Sequence, residues 1–132
     1  TQYEYFIEEN ITKLNFEYWG ITRIDKINGL HNFQNLEELN LKNNKISKIE
    51  GLDILINLKR LYLHENEITE INGLDKLVNL QILDLGVNKI MEIKGLDKLV
   101  NLIWRLVYVD GIEVKEIEDT PPLPTDTVEI LS

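Results

Sequence analysis

His64 and Glu65 are adjacent, and a histidine beside a carboxylate is the smallest pairing that can move a proton in general acid–base chemistry. The sequence offers little to build on it. There are two histidines, His31 and His64, and no cysteine. The missing thiols exclude a cysteine nucleophile, a thiolate metal site and a disulfide framework. The histidines do not stand in an H-x-x-x-H metal pattern, and neither G-x-x-x-x-G-K-[ST] nor G-x-G-x-x-G occurs. Asp and Glu total 23, but they follow a fixed rhythm along the chain, as solvated faces do. His64 reads as a surface residue on a strand. We expect no catalytic residue, no metal site and no cofactor.

The formal charge is −9 over 132 residues, with 43% apolar and 28% charged side chains. That composition suits one folded domain with one core. No basic run is present, which argues against nucleic acid as a partner; an acidic domain is also repelled by anionic membranes. No apolar stretch approaches the roughly 20 residues of a membrane span, and there is no signal-peptide pattern. The absence of cysteine fits a reducing compartment. The chain opens on Thr1 rather than methionine, which fits a piece of a longer protein. Asn10–Ile11–Thr12 fits a glycosylation sequon, a match near chance frequency.

The elements that position these side chains come from a repeat. Residues 35–56 read NLEELNLKNNKISKIEGLDILI, residues 57–78 read NLKRLYLHENEITEINGLDKLV, and residues 79–100 read NLQILDLGVNKIMEIKGLDKLV. Leu39, Leu61 and Leu83 are 22 residues apart, as are Asn44, Asn66 and Asn88, and Gly51, Gly73 and Gly95. Within one copy, Leu61 and Leu63 have the period of a strand, while Ile68, Ile71 and Leu74 are spaced more tightly. Such a coil has one apolar edge that it cannot bury alone, so stacked copies must share a core.

The pattern L-x-x-L-x-L-x-x-N-x-[IL] resembles the leucine-rich repeat, over roughly residues 11 to 109. Its I-x-x-I-x-G-L second half is most similar to the 22-residue class, which includes a regulatory subunit of type-one protein phosphatase, an axonemal dynein light chain and many cytoplasmic adaptors. Bacterial internalins share the period, but the charged, glycine-bearing "KIEGL", "EINGL" and "EIKGL" resemble the adaptors more. The resemblance implies an α/β solenoid: a right-handed curved coil with parallel strands on the concave face and 3₁₀-like or extended segments on the convex face. It further implies a cytoplasmic, non-catalytic adaptor or scaffold that binds a protein partner through the concave strands. A regulatory or targeting domain of a larger enzyme and a bacterial surface-adhesion module are the alternatives. Asn44, Asn66 and Asn88 are expected to form a structural ladder, because a buried amide can satisfy backbone groups of its own coil and the next.

We expect four segments: an N-terminal cap and degenerate first repeat over 1–34, three regular repeats over 35–100, a capping coil over 101–117, and a proline-containing tail over 118–132. In the first, Leu14 and Phe16 match Leu39 and Leu41. Ile21 and Ile24 then match Ile46 and Ile49, with a three-residue insertion before Leu30, or Ile24 and Ile27 match them directly. Tyr3, Tyr5, Phe6, Phe16, Tyr18 and Trp19 suit a lid over the first full coil. At the other end, either Leu106 and Tyr108 or Val107 and Val109 take the strand positions. The tail "TPPLP" is extended or polyproline-like, and "DTVEIL" has strand character, so the chain is expected to be a monomer or a weak dimer through its C-terminal segment.

On the strands, residues between the core leucines face outward. The rows are Glu38, Arg60 and Ile82, extended by Trp104; Asn40, Tyr62 and Asp84; and Lys42, His64 and Gly86. The core does not dictate their identity. We therefore expect Glu38, Asn40, Lys42, Arg60, Tyr62, His64, Ile82, Asp84 and Trp104 to form the protein-binding face, with Arg60, Tyr62 and Trp104 of the types enriched in binding hot spots.

Overall fold

The computed structural model describes residues 11–103 and 107–109. The expectations placed on Tyr3, Tyr5, Phe6, Trp104 and the proline tail lie outside the described residues. Five short strands occur in chain order: β1 (Lys13–Asn15), β2 (Glu38–Asn40), β3 (Arg60–Tyr62), β4 (Ile82–Asp84) and β5 (Val107–Tyr108). They form one parallel sheet in the order β1-β2-β3-β4-β5. Leu39 pairs with Leu61 and Leu61 with Leu83, so the register of β2, β3 and β4 follows the sequence period.

Each strand is short because the ladder asparagine soon turns the chain. Asn43, Glu65 and Val87, which precede the ladder asparagines, all lie in the left-handed region, with φ of 56°, 56° and 51°. Tyr18 (φ 62°) occupies the corresponding place in the first coil. The return path runs through successive tight turns: Leu55 N–H donates to Leu52 O, and Leu58 N–H to Leu55 O. Leu74, Leu77 and Leu80 repeat the arrangement, as do Leu96, Leu99 and Leu102. No α-helix occurs among the described residues.

Every coil contributes the same aliphatic set to the core. In the second regular coil Leu58, Leu61, Leu63, Ile68, Leu74 and Leu77 are wholly buried, and Ile71 nearly so. Burial of such side chains is the dominant favourable term, about 1.5–3 kcal/mol each. Gly73 follows Ile71 with φ 70°, and a Cβ there would collide with the carbonyl oxygen of Ile49 in the preceding coil. Gly95 stands in the same relation to Ile71. These glycines do more than relax the turn: they let adjacent coils touch through their backbones.

At the N-terminal end, Leu14 pairs with Leu39. Lys45 N–H donates to Ile21 O as Glu67 N–H donates to Ile46 O, and Ile24 is fully buried. Ile21 and Ile24 thus take the places of Ile46 and Ile49. The three extra residues before Leu30 are absorbed by 3₁₀ turns at Ile24–Lys26 and Leu30–Asn32. At the other end Leu83 pairs with Val107, and Val109 is buried, so Val107 and Val109, not Leu106 and Tyr108, continue the leucine positions.

Candidate functional site

The strands present their non-leucine positions side by side on the outer face of the sheet. In the first row, Arg60 Nε donates to Glu38 Oε1 at 2.7 Å, and both side chains are part-buried. They sit opposite one another in the register of β2 and β3, and Ile82 continues the row on β4. An acid, a base and an apolar group are therefore held in line.

Tyr62 lies at the middle of the second row. Lys42 Nζ sits 5.0 Å from its ring centroid, a cation–π contact. Burial, with the Glu38 carboxylate next in importance, holds the Tyr62 phenol above its usual pKa. The neighbours in that row are committed to the backbone. Asn40 Oδ1 accepts from Lys42 N–H at 3.0 Å, and Asp84 Oδ1 accepts from Gly86 N–H at 3.0 Å. Asn15 does the same for Glu17.

Asp84 requires a correction. The alternation on β4 places it among the solvated outward residues, but it is only 5% exposed. Its carboxylate is turned onto Gly86 N–H and lies 3.4 Å from His64 Nδ1. The other ring nitrogen of His64 is 3.8 Å from Glu65 Oε1. These separations exceed good hydrogen-bond geometry. Among the described residues no group of three histidine, aspartate or glutamate side chains is placed to hold a metal ion.

Behind this face runs the asparagine ladder. Asn66 Nδ2 donates to Leu41 O and Leu63 O at 2.9 and 3.0 Å, and its Oδ1 accepts from Ile46 N–H at 3.0 Å. Asn88 makes the same bonds one coil on, to Leu63 O, Leu85 O and Ile68 N–H. Asn44 reaches into the first coil, accepting from Trp19 and Ile21 N–H and donating to Phe16 O. A second ladder escaped the sequence reading. Asn57, Asn79 and Asn101 each donate from Nδ2 to the carbonyl 23 residues earlier, at Gln34, Ile56 and Val78. Its signal was the asparagine of each "NL" pair, which recurs with the same period as the leucines.

A parallel sheet built one short strand per coil, with a buried asparagine at each turn, defines a repeat solenoid whose strand face is its presenting surface. Models of the leucine-rich repeat match residues 35–54, and of two tandem copies residues 56–102. The chain belongs to the leucine-rich-repeat family. It is similar to an internalin (inlF) from Listeria monocytogenes, with 30% identity over 67% of this chain and 26% of that one, and a TM-score of 0.55. The functional domain of InlJ from the same organism is 29% identical over 70% of this chain and 19% of that one, with a TM-score of 0.57. InlJ includes a cysteine ladder; this chain has no cysteine, and asparagines line its turns. The mouse RP105/MD-1 complex matches at 31% identity over 66% of this chain and 15% of that one, with a TM-score of 0.57. The chain spans about a quarter or less of these relatives. No curated protein sequence matches it.

Leucine-rich-repeat proteins generally mediate protein–protein interaction, and the family and these neighbours are typically non-enzymatic. One expectation is overturned. The neighbours are bacterial surface or secreted internalins and a membrane-receptor ectodomain, which points away from the cytoplasmic placement inferred from the charged convex half. The core sets the isoleucines and glycine of that half, and its charges face solvent, so its composition does not report the compartment. Among the described residues no helix is long and apolar enough to cross a membrane.

Proposed function

We propose that this chain is a non-catalytic protein-binding module whose partner seats on the strand face, centred on Arg60 and Tyr62. The single observation that carries this reading is the arrangement around Tyr62. A part-buried aromatic is held in place by Lys42 and adjoins the Glu38–Arg60 pair, so its contact surface is ordered before a partner arrives. Glu38, Lys42, His64 and Ile82 frame it. Asn40 and Asp84 have their oxygens engaged in turns and contribute shape rather than free acceptors. The acidic net charge favours neutral or basic protein surfaces over nucleic acid and anionic membranes.

The similarity to internalins favours a second version of the same reading, in which the chain is an adhesion module of a cell surface. A scaffold or a regulatory domain of a larger enzyme uses the same face. The test is affinity capture from extracts and from intact cell surfaces, with the wild type and with Arg60→Ala/Tyr62→Ala. The double variant is expected to keep the wild-type circular dichroism spectrum and to lose a specific partner. Identical captured sets would remove the strand face from consideration.

A further inference from the structure

One apolar position recurs in every regular coil although the core has no use for it. Ile56, Val78 and Val100 end the three regular copies, 22 residues apart, and are 52%, 42% and 80% exposed. Leu55, Leu77 and Leu99 on one side of them and Leu58, Leu80 and Leu102 on the other are buried, so the core is complete without the row. It lies on the flank of the solenoid, between the last return turn and the next strand. Gln34 holds the equivalent place in the first coil and ends the row with a polar group. The backbone under the row is fixed, since the carbonyls of Ile56 and Val78 accept from Asn79 and Asn101. Repetition alone does not explain an aliphatic group here. Other exposed positions have diverged between the copies, as at Lys45, Glu67 and Lys89 or at Ser47, Thr69 and Met91. The exposed aromatics of the first coil stand singly. Tyr18 and Trp19 do not fold back as the expected lid, and Asn43 and Asn44 take their places one coil on.

We propose that the row of Ile56, Val78 and Val100 is a self-association surface. A second copy of this chain seats on it with its coils in the same order, related by a two-fold axis that runs along the row. Two features select this occupant. The first is period. Neighbouring strands of stacked coils lie ~4.8 Å apart, whereas same-side residues of an extended strand recur every ~6.6 Å and the turns of a helix every ~5.4 Å. Only another such row keeps step with it at every side chain. The second is charge. Asp53, Asp75 and Asp97 precede the row in each coil, and Lys59, Gln81 and Ile103 follow it. An axis along the row lays the acidic flank of one copy against the opposite flank of the other, with Asp53 facing Lys59. Lys59 already holds Glu37 at 3.0 Å and then bridges two carboxylates. An axis across the row would set Asp75 against Asp75 and Asp53 against Asp97, a repulsive arrangement. In the geometry proposed each side chain of the row meets its own counterpart, as an isologous contact requires. Three coils give a row roughly 10 Å long, short of the ~800 Å² per partner of a standard interface, so the pairing is weak and forms at high concentration. The strand face stays free for its own partner.

Sedimentation equilibrium of the full chain is expected to show an average mass that climbs from monomer toward dimer between micromolar and millimolar concentration. Val78→Lys is expected to abolish that climb and to leave the circular dichroism spectrum and Tm unchanged, because the side chain is no part of the core. The lack of cysteine then allows the contact to be mapped. Ile56→Cys and Val78→Cys, oxidised separately, are each expected to give a disulfide-linked dimer, since facing rows bring like positions within the roughly 4.4–6.8 Å between Cα atoms that a disulfide spans. Met91→Cys, 88% exposed beyond the ladder asparagine of its coil, is expected to stay monomeric. A chain that is monomeric at every concentration would overturn the proposal and leave the row to a different protein. So would association that survives Val78→Lys, or linkage of Met91→Cys as fast as that of Val78→Cys. Linkage of Ile56→Cys only when it is mixed with Val100→Cys would reverse the coil order and overturn the arrangement proposed.

Discussion

At the scale of single residues, the two asparagine ladders separate by their access to water. Asn66 is 8% exposed, and its loss would orphan the Leu41 and Leu63 carbonyls and the Ile46 N–H. Buried groups left unsatisfied cost about 1–3 kcal/mol, and Asn66→Ala is expected to destabilise by that amount in urea unfolding. Asn79 donates to an exposed carbonyl, at Ile56. Water can replace it, so Asn79→Ala is expected to cost under about 1 kcal/mol. Equal losses at the two positions would show that burial is not what distinguishes the ladders. Val87 offers a change of opposite sign. A β-branched residue at φ 51° is a backbone outlier, and the left-handed region costs an ordinary residue roughly 1–2 kcal/mol. Asparagine, already present at the equivalent Asn43, tolerates it better. Val87→Asn is expected to stabilise by about 1 kcal/mol, raising the urea midpoint without changing the slope.

At the scale of the element, the coil-to-coil approach at the convex turns is set by glycine. Gly73→Ala would have to move the Ile49 carbonyl as well as adopt a positive φ, and is expected to destabilise by more than about 2 kcal/mol. Gly20 has a comparable φ of 68° with open space around it, so Gly20→Ala isolates the conformational cost, about 1 kcal/mol. Thermal unfolding of the two variants checks the difference. The strand and turn positions were legible in the sequence because the leucines, asparagines and glycines recur without a gap across three copies. Asp84 was not, because alternation along β4 gives the side a residue faces but not whether its carboxylate turns back onto Gly86. The continuation at Val107 and Val109 was left open by the sequence, since Leu106 and Tyr108 offered equally apolar strand positions; pairing with β4 decides between them. The contacts of the strand face were also hidden. Glu38 with Arg60 and Lys42 with Tyr62 are brought together by register between coils, and the sequence placed them in rows without giving their distances.

At the scale of the whole molecule, stability is a sum over coils and the interfaces between them. Leu61 is wholly buried at the centre of the array and pairs with Leu39 on one side and Leu83 on the other. Leu61→Ala is expected to cost about 2–5 kcal/mol. Because the defect touches two interfaces, hydrogen exchange is expected to quicken in the coils of Leu39 and Leu83 as well as in its own. Quickening confined to residues 57–78 would mean that the coils are less coupled than the shared core implies.

The uniform register of β2, β3 and β4 has a consequence for inheritance. The stretches that encode residues 57–78 and 79–100 specify the same backbone path, so an unequal crossover between them inserts or removes one whole turn and leaves both flanks in frame and in contact. The surface available to a partner can therefore lengthen by a single genetic event, with each new turn supplying fresh outward positions for selection while the leucines, glycine and both asparagines arrive already in place.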